Sequence, residues 1–79
     1  MKDLVSFLVK SLVDHPEEVE VMALEGRKSV LVEVSVKKDD MGKVIGRKGR
    51  LIKAIRELSR AAGIKSRKKV IVELLPLEE

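Results

Sequence analysis

The chain of 79 residues contains no cysteine, tyrosine or tryptophan, and it has one histidine, His15, and one phenylalanine, Phe7. Without cysteine it can form no disulfide, no thiolate nucleophile and no cysteine-ligated metal site. One histidine leaves a transition-metal site without its usual ligands. The scarcity of aromatic side chains argues against modules that stack bases on aromatic platforms, such as RNA-recognition motifs and many OB-folds.

Long apolar runs are also missing from the sequence. No stretch approaches the ~20 apolar residues that a membrane-spanning helix needs. Lys2 is followed at once by Asp3, so the chain begins without the basic leader of a secretory signal peptide. We therefore expect a soluble, cytoplasmic protein without a membrane partner.

The charged residues are biased toward positive charge, with 17 lysines and arginines against 13 aspartates and glutamates and a net charge of +4. This sign favours a polyanionic partner such as nucleic acid. An ordinary soluble surface with a modest basic excess is the alternative. A domain this short buries only about 60% of its unfolded surface, so a deep substrate cavity beside the core is not expected.

The spacing of apolar residues predicts the order helix, strand, strand, helix, helix, strand. The predicted segments are helices over 3–14, 41–45 and about 50–62, and strands over 19–24, 30–36 and 70–75. A strand–helix–helix–strand crossover implies that the last strand runs parallel to the second. We predict an α+β fold for a single domain of residues 1–79, with a three-stranded mixed sheet and helices on one face.

Four further local features are predicted from the same patterns. Pro16 should end the first helix near Asp14, and Asp39 or Asp40 should cap the short helix. Gly63 should cap the long helix at its C-terminus. The predicted buried stripe of the long helix is Leu51, Ile55, Leu58 and Ala62.

Some apolar residues fall on the strand faces opposite the predicted core. An apolar patch of this kind is often an interface, but scattered surface apolars are equally compatible with the pattern. The residues are Met22, Leu24, Leu31, Ile71 and Leu75, with Phe7 on the flank of the first helix.

Two glycines three residues apart, Gly46 and Gly49, enclose the basic pair Arg47 and Lys48. The glycines permit a sharp turn between two helices and close approach of another backbone. The following helix begins here, and its free N–H groups and positive dipole end can receive an anion. The spacing is neither a Walker A loop nor a dinucleotide fingerprint. A helix–helix turn that merely needs glycine is the alternative.

No catalytic constellation is visible in the sequence. His15 precedes a proline, Ser11 and Ser29 have no identifiable base, and the carboxylates are scattered over turns and strand edges. We expect no enzymatic activity, no cofactor, no metal site and no small-molecule substrate.

The segment from Val44 to Ile52 resembles the GxxG core of KH domains, and the element order resembles the type II form of that fold. The short length is similar to the small bacterial KH proteins of the KhpA (YlqC) family. The resemblance implies single-stranded RNA held as about four nucleotides, with phosphates on Gly46, Arg47, Lys48 and Gly49.

Further RNA-binding residues are implied by the same resemblance or by their place beside the loop. Apolar side chains would form the groove under the bases, and flanking cations would add positive charge. These residues are Val44, Ile45 and Ile52 for the groove, Lys43, Arg50 and Lys53 for the flanks, and Arg27 and Lys28 in the hairpin turn, which would correspond to the family's variable loop.

The resemblance also implies an RNA chaperone or post-transcriptional regulator that forms homodimers or pairs with a second KH protein, KhpB. It further implies a link to cell-wall (peptidoglycan) homeostasis and cell length. The alternative is a KH-fold interaction or dimerisation scaffold with only incidental RNA affinity. RNA affinity measured across salt separates the two.

Overall fold

A computed structural model of the protein describes residues 1–78, so Glu79, the last residue of the predicted domain, lies outside the described residues. The helices are α1 (Lys2–Lys10), α2 (Met41–Ile45) and α3 (Arg50–Lys65), and the strands are β1 (Glu20–Glu25), β2 (Ser29–Val36) and β3 (Lys69–Pro76). Short 3₁₀ turns cover Pro16–Glu18, Lys38–Asp40 and Arg47–Gly49. The predicted order of elements is confirmed, and each strand end lies within one residue of its expected place.

The three strands form one mixed sheet in the order β1–β2–β3. β1 and β2 pair antiparallel, with Leu24 opposite Leu31. β2 and β3 pair in parallel, with Leu31 beside Ile71. The helices α2 and α3 provide the crossover that a parallel pair requires, so the predicted mixed sheet is confirmed.

Valine builds nearly the whole core. Every second residue of β2 from Val30 to Val36 is buried, as the alternating pattern predicts. The other buried apolar residues come from all three helices and β3: Val5, Val9, Val44, Ile55, Val70 and Val72. The helices therefore cover one face of the sheet, and the alternate residues of the strands point to the other face.

The first helix ends earlier than predicted, at Lys10 and not near Asp14. The N–H groups of Ser11 and Leu12 still donate to the carbonyls of Phe7 and Val9. Further on, the N–H groups of Asp14 and His15 donate hydrogen bonds of 3.2 and 3.0 Å to the carboxylate of Asp40. Asp40 is itself buried. It is the N-cap residue of α2, as predicted, but its side chain makes no capping hydrogen bond to that helix.

The buried stripe of α3 also differs from the prediction. Leu51 and Leu58 are 38% and 53% exposed, whereas Ile55 and Ser59 are buried. The hydroxyl of Ser59 is satisfied within the helix, where it donates to the carbonyl of Ile55 at 2.7 Å. α3 therefore packs against the sheet with the small residue Ser59 and with only part of its predicted apolar stripe.

Gly63 lies inside α3 and does not cap it, because the helix continues to Lys65. A Cβ atom at this position would lie 2.5 Å from Cγ2 of Val70 and 2.7 Å from the carbonyl oxygen of Lys68. The glycine thus permits the close approach of β3 to the end of the helix, and the chain reverses afterwards at Arg67, whose φ is 57°.

Candidate nucleic-acid interface

The segment between α2 and α3 is a tight loop formed by Gly46–Gly49, called here the GxxG loop. Gly46 has φ 76° and ψ 174°, Lys48 has φ 57°, and Gly49 has φ 73°. The N–H of Gly46 closes α2 by donating to the carbonyl of Gly42 at 2.9 Å, and the N–H of Gly49 donates to the carbonyl of Gly46 at 3.1 Å. The backbone angles at Gly46 are essentially restricted to glycine, so the turn explains why glycine is needed there.

The two glycines of the loop have different surroundings. A Cβ at Gly46 would lie 2.7 Å from Cγ of Leu51, whereas a Cβ at Gly49 would meet nothing within 4 Å. Gly46 is therefore required by packing as well as by backbone angles. At Gly49 the left-handed backbone alone favours glycine, and Asn and Asp also tolerate this conformation.

Positive charge surrounds this loop. Arg47 and Lys48 are exposed, and Arg50 and Lys53 are exposed on the first turns of α3. The N-cap residue Gly49 offers no side-chain acceptor to the first N–H groups of this 16-residue helix. Although the N–H of Arg50 donates to the carbonyl of Arg47, the positive end of the helix dipole favours an anion at this end, so the loop and the helix start suit a phosphate group.

The basic side chains continue along α3 toward β3, which the sequence reasoning missed. Arg50, Lys53, Arg56 and Arg60, called here the basic stripe, recur at intervals of three or four residues and so share one side of the helix. Nε of Arg56 donates to the carbonyl of Val72 in β3 at 3.2 Å. A shallow hollow there is lined by Arg56, Arg60, Lys69, Ile71 and Glu73, among others. The spacing was visible in the sequence, but its position beside β3 was not.

Lys43, expected to bind RNA, is engaged in carboxylate contacts. Its ammonium donates to the carboxylate of Asp14 and lies 3.8 Å from the buried carboxylate of Asp40. The hydrogen bond from Lys43 lowers the pKa of Asp14, and the same bond raises the pKa of Lys43. Lys43 therefore ties α2 to the segment after α1, and it is less available to a phosphate than Arg47 or Lys48.

We expect the Asp14–Lys43 pair to stabilise the fold between the ordinary pKa values of its members, 3.8 and 10.5. Because the pKa of Asp14 is depressed in the folded chain, this residue adds to the free energy of unfolding above pH 3.8. That contribution is lost as the pH falls through the pKa of the folded state. Because the pKa of Lys43 is raised in the folded chain, this residue adds to the free energy of unfolding below pH 10.5. That contribution is lost as the pH rises through the pKa of the folded state. Thermal unfolding of Lys43→Met and wild type should therefore differ at neutral pH and converge in acid.

Lys53→Met is the matched control for this comparison, because Lys53 is exposed and forms no ion pair within residues 1–78. It should match wild type throughout. A deficit of Lys43→Met that stays constant from neutral to acid pH would contradict the assignment.

The apolar residues expected under the bases are placed differently from one another. Val44 is fully buried in the core, so its side chain supports the loop from below and is not free to touch a ligand. Ile45 is exposed and Ile52 is half-buried. Of these three residues, Ile45 and Ile52 present apolar surface beside the loop.

The hairpin-turn residues Arg27 and Lys28 are exposed, but the structure does not bring them to the GxxG loop. The N–H of Lys69 donates to the carbonyl of Lys28 at 2.8 Å, so this turn lies beside the C-terminal end of α3. The loop lies at the N-terminal end of the same helix, whose 16 residues span roughly 24 Å.

Residues 1–78 include no group of three or more histidine, cysteine, aspartate or glutamate side chains placed to hold a metal ion. No helix in this part of the chain has the length and apolar character needed to cross a membrane.

The topology and the glycine-bounded loop between the last two helices define a type II KH domain. The family model for the KhpA/KhpB KH domain matches residues 2–74, and the chain belongs to this family. Its relatives include the RNA-binding protein KhpA of Clostridium perfringens (strain 13 / Type A), which is 52% identical over 75 residues that cover 95% of this chain and 100% of the relative. The RNA-binding protein KhpA of Listeria monocytogenes is 47% identical and covers 95% of this chain and 99% of the relative.

A solved structure shares the fold. The crystal structure of a variant of Aquifex aeolicus Era bound to GDP and aluminium fluoride matches with a TM-score of 0.67 and 20% sequence identity. The match covers 95% of this chain but only 29% of that longer chain. At this identity the likeness shows the fold alone.

Proposed function

We propose that this chain binds single-stranded RNA through the GxxG loop and catalyses no reaction. The observation that carries the proposal is the loop itself. Its backbone turns sharply at Gly46 and Gly49, and its cations Arg47 and Lys48 stand exposed at the start of α3. Membership of the KhpA/KhpB family supports the proposal, because its relatives are named RNA-binding proteins.

We propose that the RNA backbone runs from the loop along the basic stripe toward β3. The helix is roughly 24 Å long, which suits the about four nucleotides that a KH groove holds. Contacts to phosphates carry no sequence information, so binding should tolerate many sequences. This property suits an RNA chaperone or post-transcriptional regulator of the cytoplasm. A role in cell-wall homeostasis stays a prediction from the family resemblance.

The salt dependence of RNA binding tests this function. Fluorescence anisotropy of an unstructured oligouridine should show saturable binding that weakens steeply with salt. About four phosphate contacts at about −0.7 each predict a slope of log K against log salt near −3. Unsaturable binding at physiological salt, or a slope near zero, would contradict the proposal and favour the scaffold.

We further propose that a second KH domain shares the RNA, because a footprint of about four nucleotides is small and linked sites raise affinity. The other exposed side of α3 offers a contact surface for a second copy, since Leu51 and Leu58 are exposed there. In the same titration, RNA of about eight nucleotides should bind two chains more tightly than RNA of about four. Equal affinity per site at both lengths would argue against shared binding.

A protein-interaction scaffold is the second candidate function. The observation that favours it is exposed apolar surface at several places, including Phe7, which is 69% exposed. Such surface often marks a protein interface. RNA binding and protein interaction can occur together if they use different faces of the domain.

A further inference from the structure

The sheet has an uncovered face, called here the open sheet face, opposite the helices. It consists of the strand residues that alternate with the buried ones. Met22 and Leu24 are 60% and 55% exposed on this face. The full set is Glu20, Met22, Leu24, Ser29, Leu31, Glu33, Ser35, Lys69, Ile71, Glu73 and Leu75.

The strand register sorts these residues into rows across the sheet. Leu24, Leu31 and Ile71 are register partners and form an apolar row that crosses all three strands. The next row on this face contains Met22, Glu33 and Glu73. Cross-strand neighbours on one face lie about 5 Å apart. An apolar band therefore lies directly beside a pair of carboxylates.

The carboxylates of this face outnumber its cations, although Glu73 also borders the hollow that Arg56 and Arg60 line. Within the described residues, neither Glu33 nor Glu73 forms an ion pair, although like charges opposite one another destabilise a sheet. Glu20 adds a third carboxylate, and Lys69 at the far row is the one cation at these positions. The face is thus acidic in a chain whose net charge is +4.

These charges restrict what can occupy the face. RNA phosphates would be repelled, and a second copy packed face to face with its strands running in the same direction would bring its own glutamates against Glu33 and Glu73. A ligand that complements the face must offer apolar side chains to the Leu24 row and cations to Glu33 and Glu73. Complementary potentials of this kind select partners and align them.

We propose that the open sheet face docks a segment of a partner protein in which leucine, isoleucine or valine side chains lie beside lysine or arginine. The apolar side chains pack on Leu24, Leu31 and Ile71, and the cations pair with Glu33 and Glu73. The GxxG loop lies on the helical side of the sheet, so docking leaves it free. This proposal does not depend on RNA binding.

Titration of the isotope-labelled full chain with a synthetic amphipathic leucine–lysine peptide tests the proposal. We expect saturable shift changes at the amides of β1, β2 and β3. The double variant Glu33→Gln/Glu73→Gln should bind the peptide about fivefold to tenfold more weakly, because two charge pairs are lost. Leu24→Ser, at an exposed position of the apolar row, should weaken binding through loss of apolar contact.

Matched controls separate a docking surface from general attraction of opposite charges. Glu17→Gln/Glu18→Gln makes the same charge change in the exposed turn before β1 and should leave the affinity unchanged. A peptide with glutamate in place of lysine should not bind. The proposal is overturned if both double variants weaken binding equally, if the glutamate peptide binds as tightly as the lysine peptide, or if single-stranded RNA shifts the amides of Met22, Leu24 and Leu31.

Discussion

Gly49→Asp is expected to weaken the binding of single-stranded RNA at least about tenfold, whereas Gly49→Asn should stay within about twofold of wild type. Both side chains tolerate a left-handed backbone, and a Cβ at Gly49 meets nothing within 4 Å. The two variants therefore share the same backbone cost and nearly the same shape. They differ in one negative charge at the proposed phosphate position.

The size of this effect follows from electrostatics. Two like charges about 4 Å apart repel by about 1 kcal/mol in water and about 4 kcal/mol near a protein surface. A tenfold loss corresponds to about 1.4 kcal/mol, so it lies at the low end of this range. Gly46 is a poorer probe, because any side chain there would collide with Leu51 and disturb the loop whether or not RNA binds it.

Anisotropy of labelled oligouridine measures this difference, and circular dichroism verifies that both variants are folded. Lys10→Gln is the control for net charge, since it also lowers the charge by one but lies at the exposed end of α1. It should bind RNA nearly as well as wild type. If folded Gly49→Asp and Gly49→Asn bind RNA equally well, the phosphate does not sit at this loop.

Gly63→Ala is expected to destabilise the fold by about 1–3 kcal/mol, the usual range for overpacking. Alanine would normally gain about 1 kcal/mol over glycine inside a helix. Here its Cβ would lie 2.7 Å from the carbonyl oxygen of Lys68, a backbone atom that cannot rotate away. We therefore expect the collision to outweigh the gain in helix propensity, so that the variant is less stable than wild type.

The control for this variant is Gly42→Ala. Gly42 also lies within a helix, α2, but a Cβ there meets nothing within 4 Å. Chemical denaturation should show Gly42→Ala to be as stable as wild type or up to about 1 kcal/mol more stable. If both variants gain stability alike, α3 and β3 are not in the close contact described.

The sheet was predictable from the sequence, because Val30 to Val36 alternate with period two and only one face of such a strand can be buried. The end of α1 was not predictable. The path of the chain after the helix involves hydrogen bonds from Asp14 and His15 to Asp40, which lies 26 and 25 residues further along the chain. A local pattern carries no signal for a partner so distant.

The long helix shows a second limit of sequence reasoning. Period and composition identified α3, but they placed Leu58 in the core and left out Ser59 and Gly63. Which side of a helix packs depends on how closely the sheet approaches, and here Gly63 allows β3 to approach closely. The position of Arg56 beside Val72 follows from the same approach, so this part of the candidate site appears only in the folded chain.

The most direct measurement of the central claim is a map of amide chemical shifts as unstructured oligouridine is titrated into the isotope-labelled chain. Binding at the GxxG loop predicts the largest changes from Gly46 to Arg50, with further changes along α3 and β3 near Arg56. Changes confined to the open sheet face, or to the hairpin turn at Arg27 and Lys28, with an unperturbed GxxG loop, would contradict the claim.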